Sequence, residues 1–150
     1  MKIQQLSIFL ENKPGRLVAA CEVLAAAGIN LITLSLADTQ RFGILRLIVR
    51  DWQRAKEVLE AAGLVVKVTD VLAIEVPDQP GGLAGVLRAI ERAAINVEYM
   101  YAFTEKVGDK AVLVFRFEDP DAAVQALAQS EVGVVGNVEL YKRLERGQGG

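Results

Sequence analysis

The apolar and polar positions along the chain follow a pattern that occurs twice. In the first copy, apolar residues alternate with polar ones over residues 6–10 and then recur at helical spacing. The second copy starts with the apolar run 71–76 and continues in the same way. Each apolar run is followed by a similar segment, "ENKPGRL" or "PDQPGGL", whose Pro14 and Pro80 lie 66 residues apart (80 − 14). A repeat of this length indicates two copies of one supersecondary unit.

Local signals predict the elements of the first copy. The first helix is predicted to begin at Pro14, because proline suits the opening helical turn, and to end at Gly28 in a left-handed cap. Residues 29–37 and 43–50 read as the second and third strands. Asp51 is then expected to accept amide hydrogen bonds as the N-cap of a second helix.

The second copy repeats these devices after a two-residue insertion within residues 104–110. Asp119 takes the place of the first copy's aspartate cap, and Pro120 follows it at the first helical position. A last strand near residues 65–68 runs without a linker into the next copy. The predicted order is therefore βαββαβ in each copy.

This order predicts an α+β protein made of two tandem ferredoxin-like units, each an antiparallel sheet with two helices on one face. The expected domains are residues 1–70 and 71–143, followed by a flexible glycine-rich tail over residues 144–150. A unit of about 70 residues buries only about 60% of its surface alone and is marginally stable, so pairing of the two copies and then of two chains, as a homodimer, is expected.

Composition removes several classes of function. With 52% apolar and 24% charged residues, the chain is a folded globular protein, and a net charge of −2 argues against binding to nucleic acid. No apolar run is long enough for a bilayer and no secretory signal is recognisable, so we expect a cytoplasmic protein without membrane contact. The absence of histidine and the single cysteine leave no metal site, no cofactor site and no convincing catalytic pair, so an enzyme is not expected.

The Pro-Gly segments are the candidate binding chemistry. A glycine before a helix leaves the amides of the first turn free, with the positive end of the helix dipole behind them, and such a terminus binds carboxylates. Asn12 precedes the first loop, and Asn30 follows the first helix. Side-chain amides of this kind can bind both the carboxylate and the ammonium group of an amino acid. Ordinary turn formation explains one such loop equally well, but the repetition favours function.

A second candidate is an aromatic stripe, Tyr99, Tyr101 and Phe103, on the predicted fifth strand. Two interpretations remain open for it. The stripe packs on a neighbouring element or subunit, or it forms one wall of a ligand pocket.

Strand, "ENKPGRL", helix, "GIN" and strand together resemble the ACT domain, a regulatory module of amino-acid metabolism, and "DQPGGL" with "AIN" is similar in the second copy. The resemblance covers the chain to about Tyr141 and implies two tandem ACT domains without a catalytic domain. It implies that an amino acid binds between two domains, held by the strand–helix loop and the asparagine that opens the second strand. Carried over, the implied ligand-binding residues are Asn12, Lys13, Pro14, Gly15, Arg16, Leu17 and Asn30 in the first copy, and Asp78, Gln79, Pro80, Gly81, Gly82, Leu83 and Asn96 in the second.

The two copies depart from the family pattern in different ways. Leu10 stands where serine-binding members, such as those of serine-pathway dehydrogenases, carry a histidine. Asp78 replaces the loop asparagine in the second copy, and Ala94 replaces the cap glycine. An aspartate suits an ammonium group better than a carboxylate, so the two pockets are expected to differ.

The resemblance therefore predicts a regulatory protein that senses a small amino acid at an ACT–ACT interface. The alternative is a regulatory subunit of an amino-acid biosynthetic enzyme, such as the small subunit of acetolactate synthase, in which the loops are mainly structural. RNA binding by the same strand order is disfavoured, because the first strands carry no suitable pair of stacking aromatic residues.

Overall fold

The computed structural model describes residues 1–103 and 109–147 and divides the chain into two compact units. Residues Gln4–Thr69 form the first unit, and Met1–Ile3 with Asp70–Gly150 form the second. The division falls after Thr69, one residue before the boundary expected from the sequence. The predicted insertion at 104–110 lies mostly outside the described residues, which exclude 104–108.

The first unit has the predicted order of strands and helices. Its elements are β1 (Ile3–Glu11), α1 (Arg16–Ala26), β2 (Thr33–Thr39), β3 (Phe42–Ile48), α2 (Trp52–Ala61) and the first residues of β4 (Val65–Pro77). Strand β3 pairs antiparallel with both neighbours, so that Ile8 faces Leu45 and Leu36 faces Leu45 from the other side. The single uninterrupted β4 confirms that no linker separates the copies.

The second unit repeats the arrangement. Its elements are the rest of β4, α3 (Gly82–Arg92), β5 (Val97–Ala102), β6 (Lys110–Phe117), α4 (Pro120–Ala128), β7 (Val134–Val135) and an added helix, α5 (Asn137–Gly147). Strand β6 pairs antiparallel with β4 and β5, and β7 pairs with β4. The predicted ferredoxin-like fold is confirmed in both copies.

Each unit has its own core between one face of its sheet and its two helices. In the first unit Leu6, Ile8 and Leu47 from the sheet pack with Leu24 of α1 and Leu59 of α2. Burial of apolar side chains on one face of each element is what fixes the sheet against the helices.

In the second unit the same layers meet through Leu72, Ile74 and Phe115 of the sheet, Ile90 of α3 and Leu127 of α4. The positions match those of the first core, which is the structural expression of the sequence repeat.

The predicted helix caps occur where aspartate precedes a helix. The Arg54 amide donates to Asp51 Oδ1 at 3.2 Å, and the Ala122 amide donates to Asp119 Oδ1 at 3.1 Å. Pro120 occupies the first position of α4 as predicted. These bonds satisfy amides that the helix itself leaves unpaired.

Helix α5 differs from the sequence expectation. It reaches Gly147, so residues 144–147, assigned from the sequence to a flexible tail, are helical, and residues 148–150 are not described. Leu140 is fully buried, and Arg143 donates to Glu139 one turn earlier at 2.8 Å. The glycine-rich composition of the terminus concealed this short amphipathic helix.

Arg143 also fastens α5 to the sheet. It bonds the carboxylate of Glu75 on β4, which is 14% exposed and receives a second hydrogen bond from Lys110 Nζ at 3.3 Å. Because Glu75 does not belong to the strand face that carries the core residues Ile74 and Val76, this contact places α5 on the face opposite α3 and α4. Burial raises the pKa of the Glu75 carboxyl, but the bonds from Arg143 and Lys110 outweigh it and leave the pKa below its ordinary value.

One close approach sets the start of α3. A Cβ on Gly82 would lie 2.0 Å from the Pro77 carbonyl oxygen, whereas a Cβ on Gly85 would meet nothing within 4 Å. Only glycine therefore allows the helix to begin this close to the end of β4.

We predict that Gly82→Ala destabilises the protein by about 1–3 kcal/mol, because backbone must move to accept the methyl group. Gly85→Ala is the matched control and should be neutral or stabilising by about 0.5–1 kcal/mol, since alanine favours a helix interior. Urea denaturation midpoints measure both changes. Equal effects of the two substitutions would contradict the close approach.

We predict that the Glu75 bonds make stability fall in acid. Because the folded-state pKa of Glu75 lies below the ordinary value of 4.5, the contribution is present above that pH and is lost as the pH falls through the folded value. Glu75→Gln should cost about 1–3 kcal/mol at pH 7 and flatten stability between pH 6 and pH 3.

Urea melts at several pH values measure this dependence. Glu57→Gln, a substitution of an exposed carboxylate on α2, is the control and should leave the wild-type slope unchanged. A Glu75→Gln curve parallel to that of the wild type would contradict the assignment.

Candidate functional site

The first loop is tied to the turn between β2 and β3. The Asn12 amide donates to the Arg41 carbonyl at 2.8 Å, and its side-chain Nδ2 donates to the Gln40 carbonyl at 3.1 Å. Asn12 is nevertheless exposed, so the loop is positioned by the hairpin and still faces solvent.

Gly15, and not Pro14, defines the start of α1. Gly15 has φ +87° and is the N-cap, and the helix begins at Arg16. The prediction that Pro14 opens the helix is wrong, because the left-handed glycine after it interrupts the helical turn. No side chain caps α1, and the exposed Leu17 and Val18 lie in its first turn.

Charges beside this loop are of both signs. Lys13 Nζ lies 2.9 Å from Glu11 Oε2, and Arg16 approaches the same oxygen at 4.0 Å. The hydrogen bond from Lys13, with the positive charge of Arg16, holds the pKa of Glu11 below its usual value. Two exposed cations share one carboxylate, which leaves an excess of positive charge at the start of α1.

Asn30 lies at the other end of α1. The helix ends with the Gly28 amide on the Ala25 carbonyl at 3.0 Å and the Ile29 amide on the Leu24 carbonyl at 2.9 Å, and Gly28 has φ +72° as predicted. Since α1 has 11 residues, about 16 Å separates its ends. The structure therefore does not bring Asn12 and Asn30 together within one unit.

The second loop has the same backbone but different side chains. Gly81 is a left-handed N-cap with φ +84°, and α3 begins at Gly82. The Gln79 amide donates to the Pro77 carbonyl at 2.9 Å, and the Gly82 amide donates to the Gln79 carbonyl at 3.0 Å. Pro80 lies in the turn before Gly81, and Leu83 packs against the second core.

The far end of α3 repeats the cap despite its substitution. Ala94 adopts φ +54°, close to the Gly28 conformation, and the Ile95 amide reaches the Ile90 carbonyl at 3.3 Å. A non-glycine residue in this region is strained, so the fold imposes the conformation. Asn96 follows, exposed, and is separated from Asp78 by the length of α3.

The aromatic stripe lies on the face of the second sheet opposite α3 and α4. Tyr101 pairs with Val114 and Tyr99 with Arg116, while Met100 between them faces the core residue Phe115. All three aromatic residues are half-buried.

A cleft of about 950 Å³ lies in the second unit, between α3 and the segment that follows α4. Three residues of the predicted loop, Gln79, Gly81 and Gly82, line one end of it. The sequence analysis did not identify the other lining residues, which include Gly85, Ala89, Arg92, Glu131 and Glu75. The signal that could have found it is the additional glycine inside α3.

In the first unit an apolar edge is exposed. Strand β2 lies at the end of the strand order, and its Leu34 and Leu36 are 42% and 53% exposed. Val18 of α1 is also exposed. An apolar edge strand with unpaired backbone groups is a surface on which another strand can pair.

The family model of the ACT domain pair matches residues 1–144. This chain belongs to the ACT domain family. The ACT domain pair is a family of regulatory, amino-acid-sensing domains, so the resemblance seen in the two loops is confirmed.

Solved structures share the ACT fold over most of the chain. Protein BT0572 from Bacteroides thetaiotaomicron is 41% identical, covering 95% of this chain and 97% of its own, with a TM-score of 0.87. The regulatory subunit of aspartate kinase from Thermus thermophilus, in a ligand-free form, is 18% identical, covering 84% and 91%, with a TM-score of 0.61. The corresponding subunit from Thermus flavus is 19% identical, covering 84% and 90%, with a TM-score of 0.57. No curated protein sequence matches this chain.

Membrane-spanning helices and metal-binding clusters are both absent from the part of the chain that the structure describes. Among residues 1–103 and 109–147, no helix is long and apolar enough to cross a membrane. The same residues contain no group of three or more His, Cys, Asp or Glu side chains that could hold a metal ion.

Proposed function

We propose that this ACT protein senses a small amino acid at an interface between two ACT domains and has no reaction of its own. The family supplies the class of function. The uncapped N-termini of α1 and α3, each behind a left-handed glycine, support an anion site at each loop.

The observation that carries the proposal is the separation of Asn12 from Asn30. The two residues lie beyond opposite ends of α1, a helix about 16 Å long, so one ligand cannot touch both in one unit. If two chains pair antiparallel through their β2 edges, a two-fold axis reverses the direction of the second copy. The loop of one chain then lies beside Asn30 of the other, and a homodimer completes the site.

The exposed side chains of β2 support the same pairing. Leu34 and Leu36 point to the helix side of the sheet, in register with the core residues Leu47 and Leu45. A second copy would cover them and continue the core across the interface, which stabilises the pair by apolar burial.

The first-unit loop is the better carboxylate site. Lys13 and Arg16 flank it, whereas the second loop has Asp78 where the first has Asn12. An aspartate repels a carboxylate and attracts an ammonium group. We therefore propose that the first-unit site is the one that a free amino acid occupies at the dimer interface.

Regulation follows from linkage. A ligand that bridges two chains binds the closed dimer more tightly than the open one. This difference in binding free energy shifts the population toward the closed dimer. Micromolar affinity corresponds to about −8 kcal/mol, which a few charge-assisted hydrogen bonds of about 1.5–3 kcal/mol each and some apolar burial supply. The ligand-dependent change acts on a partner protein. The family favours an amino-acid biosynthetic enzyme as the class of that partner.

We predict that one or a few proteinogenic amino acids raise the melting temperature of the purified protein in a dose-dependent way. Asn12→Ala and Asn30→Ala should each abolish the increase in melting temperature that binding at the interface site produces, because each removes a ligand-binding side chain from one side of that site. Asn96→Ala, the equivalent change in the second unit, is the matched control and should retain it.

Differential scanning fluorimetry with each of the twenty amino acids measures the shift. Silence across the panel would reject stand-alone sensing and favour the alternative, a subunit that acts only when bound to its enzyme. A pull-down from cell extract against the same enzyme class would then be the next measurement.

We predict that Leu34→Lys weakens the dimer at least tenfold, since it places a charge in the proposed apolar interface. Met100→Lys changes the equivalent position of the second unit, 66 residues later, and should leave the dimer intact. Sedimentation velocity at several concentrations measures the dissociation constant. A monomeric wild type, or equal effects of the two variants, would reject pairing through β2.

A further inference from the structure

The cleft in the second unit has walls on two sides. Helix α3 forms one wall from Gly82 to Arg92, and the end of α4 with residues 129–133 forms the other. The space measures about 950 Å³, which lies within the range of small-ligand sites in other proteins, and it is open to solvent. It belongs to a single unit, so no second chain is needed to build it.

Gly85 lines this cleft without a structural reason to be glycine. A Cβ there would meet nothing within 4 Å, and the residue lies inside a helix, where alanine is more stable. Gly82, one turn earlier, is explained by the Pro77 carbonyl. Gly85 is exposed on the helix surface, and its missing side chain leaves this part of the cleft open.

The two copies of the repeat differ along this wall. Gly82, Gly85 and Ala89 correspond, 66 positions earlier, to Arg16, Ala19 and Val23. At each of the three positions the second unit has the smaller side chain. At Val86 and Arg92, which also line the cleft, the second unit has larger side chains than the corresponding Ala20 and Ala26, so the added space is confined to the first three positions.

Two solvent-exposed side chains of opposite charge border this space. Arg92 at the end of α3 and Glu131 after α4 both line the cleft. Within the described part of the chain, neither side chain makes a hydrogen bond or an ion pair, with each other or with a third group. A cation and an anion set across one cleft are complementary to a ligand that carries both charges.

The other charges of the cleft are already neutralised. Glu75 is bound by Arg143 and Lys110, and Arg143 also holds Glu139. Two carboxylates and two cations balance there, and the network fastens α5. The ligand charges are therefore met at Arg92 and Glu131.

We propose that this cleft is a second binding site, for a free α-amino acid held within one chain. Arg92 binds the carboxylate, Glu131 binds the ammonium group, and the side chain lies along the floor made by Gly85 and Ala89. The proposal rests on the proposed function only for the class of ligand, because its residues differ from those of the interface site.

Isothermal titration with each of the twenty amino acids tests the proposal on the full chain. Arg92→Gln and Glu131→Gln should each weaken the binding of at least one amino acid tenfold or more. Arg88→Gln and Glu91→Gln change exposed residues of α3 that do not line the cleft, and they should bind as the wild type does. The methyl ester and the N-acetyl derivative of the bound amino acid should each bind at least tenfold more weakly, because each lacks one of the two charges that Arg92 and Glu131 bind.

Substitutions of Gly85 distinguish a role in binding from a purely structural role. Gly85→Ala should raise the melting temperature of the free protein and weaken amino-acid binding severalfold, and Gly85→Leu should abolish binding in a folded protein. A lower melting temperature for Gly85→Ala, with unchanged affinity, would overturn the proposal.

The outcomes separate this site from the interface site. Loss of binding in the Arg92, Glu131 and Gly85 variants, with Asn12→Ala and Asn30→Ala unaffected, supports the cleft and rejects the interface. The reverse pattern rejects the cleft and leaves the proposed function standing. Two independent losses and two ligands per chain support both sites, and silence across the panel overturns the cleft.

Discussion

The left-handed glycine between a strand and the following helix is the constraint on which both units depend. Gly15 and Gly81 turn the chain sharply enough that α1 and α3 start directly at the end of a strand and run back across the sheet. A side chain at either position would be strained, and no side chain caps the helix that follows. The same turn therefore sets the direction of the helix, closes the core beneath it and leaves amides exposed at its start.

From this shared geometry the two units have diverged in surface chemistry. Phe9 on β1 is exposed, whereas the equivalent Glu75 on β4 is half-buried and bonded to α5. The first unit keeps an apolar edge, Leu34 and Leu36, and the second keeps a cleft with unpaired charges. Core positions have stayed alike because packing restricts them, and exposed positions have been free to take different roles.

Two sites of different construction would give such a protein two responses. A ligand shared between chains couples amino-acid concentration to association, while a ligand held inside one unit stabilises that unit whether or not it is paired. Helix α5 lies close to the second of these, since Arg143 holds Glu75 and Glu75 lines the cleft.

The sequence by itself determined the features that neighbours along the chain control. The repeat, the βαββαβ order, the Asp51 and Asp119 caps and the left-handed Gly28 all depend on hydrogen bonds and backbone angles within a few residues. The family followed from the same local patterns, since its motif is a loop and a cap. Ala94 shows the limit of such reasoning, because only the surrounding fold forces alanine into the glycine conformation.

Tertiary structure alone decided where these pieces meet. It formed α5 from a terminus that composition assigned to a tail, and it opened a cleft between the segments that carry Arg92 and Glu131. Each of these depends on contacts between residues far apart in the chain, where packing and close backbone approach outweigh local preference. A site made from such contacts leaves little periodic signal in the sequence. For this cleft the signal was Gly85, a glycine inside a helix at a position where a Cβ would meet nothing.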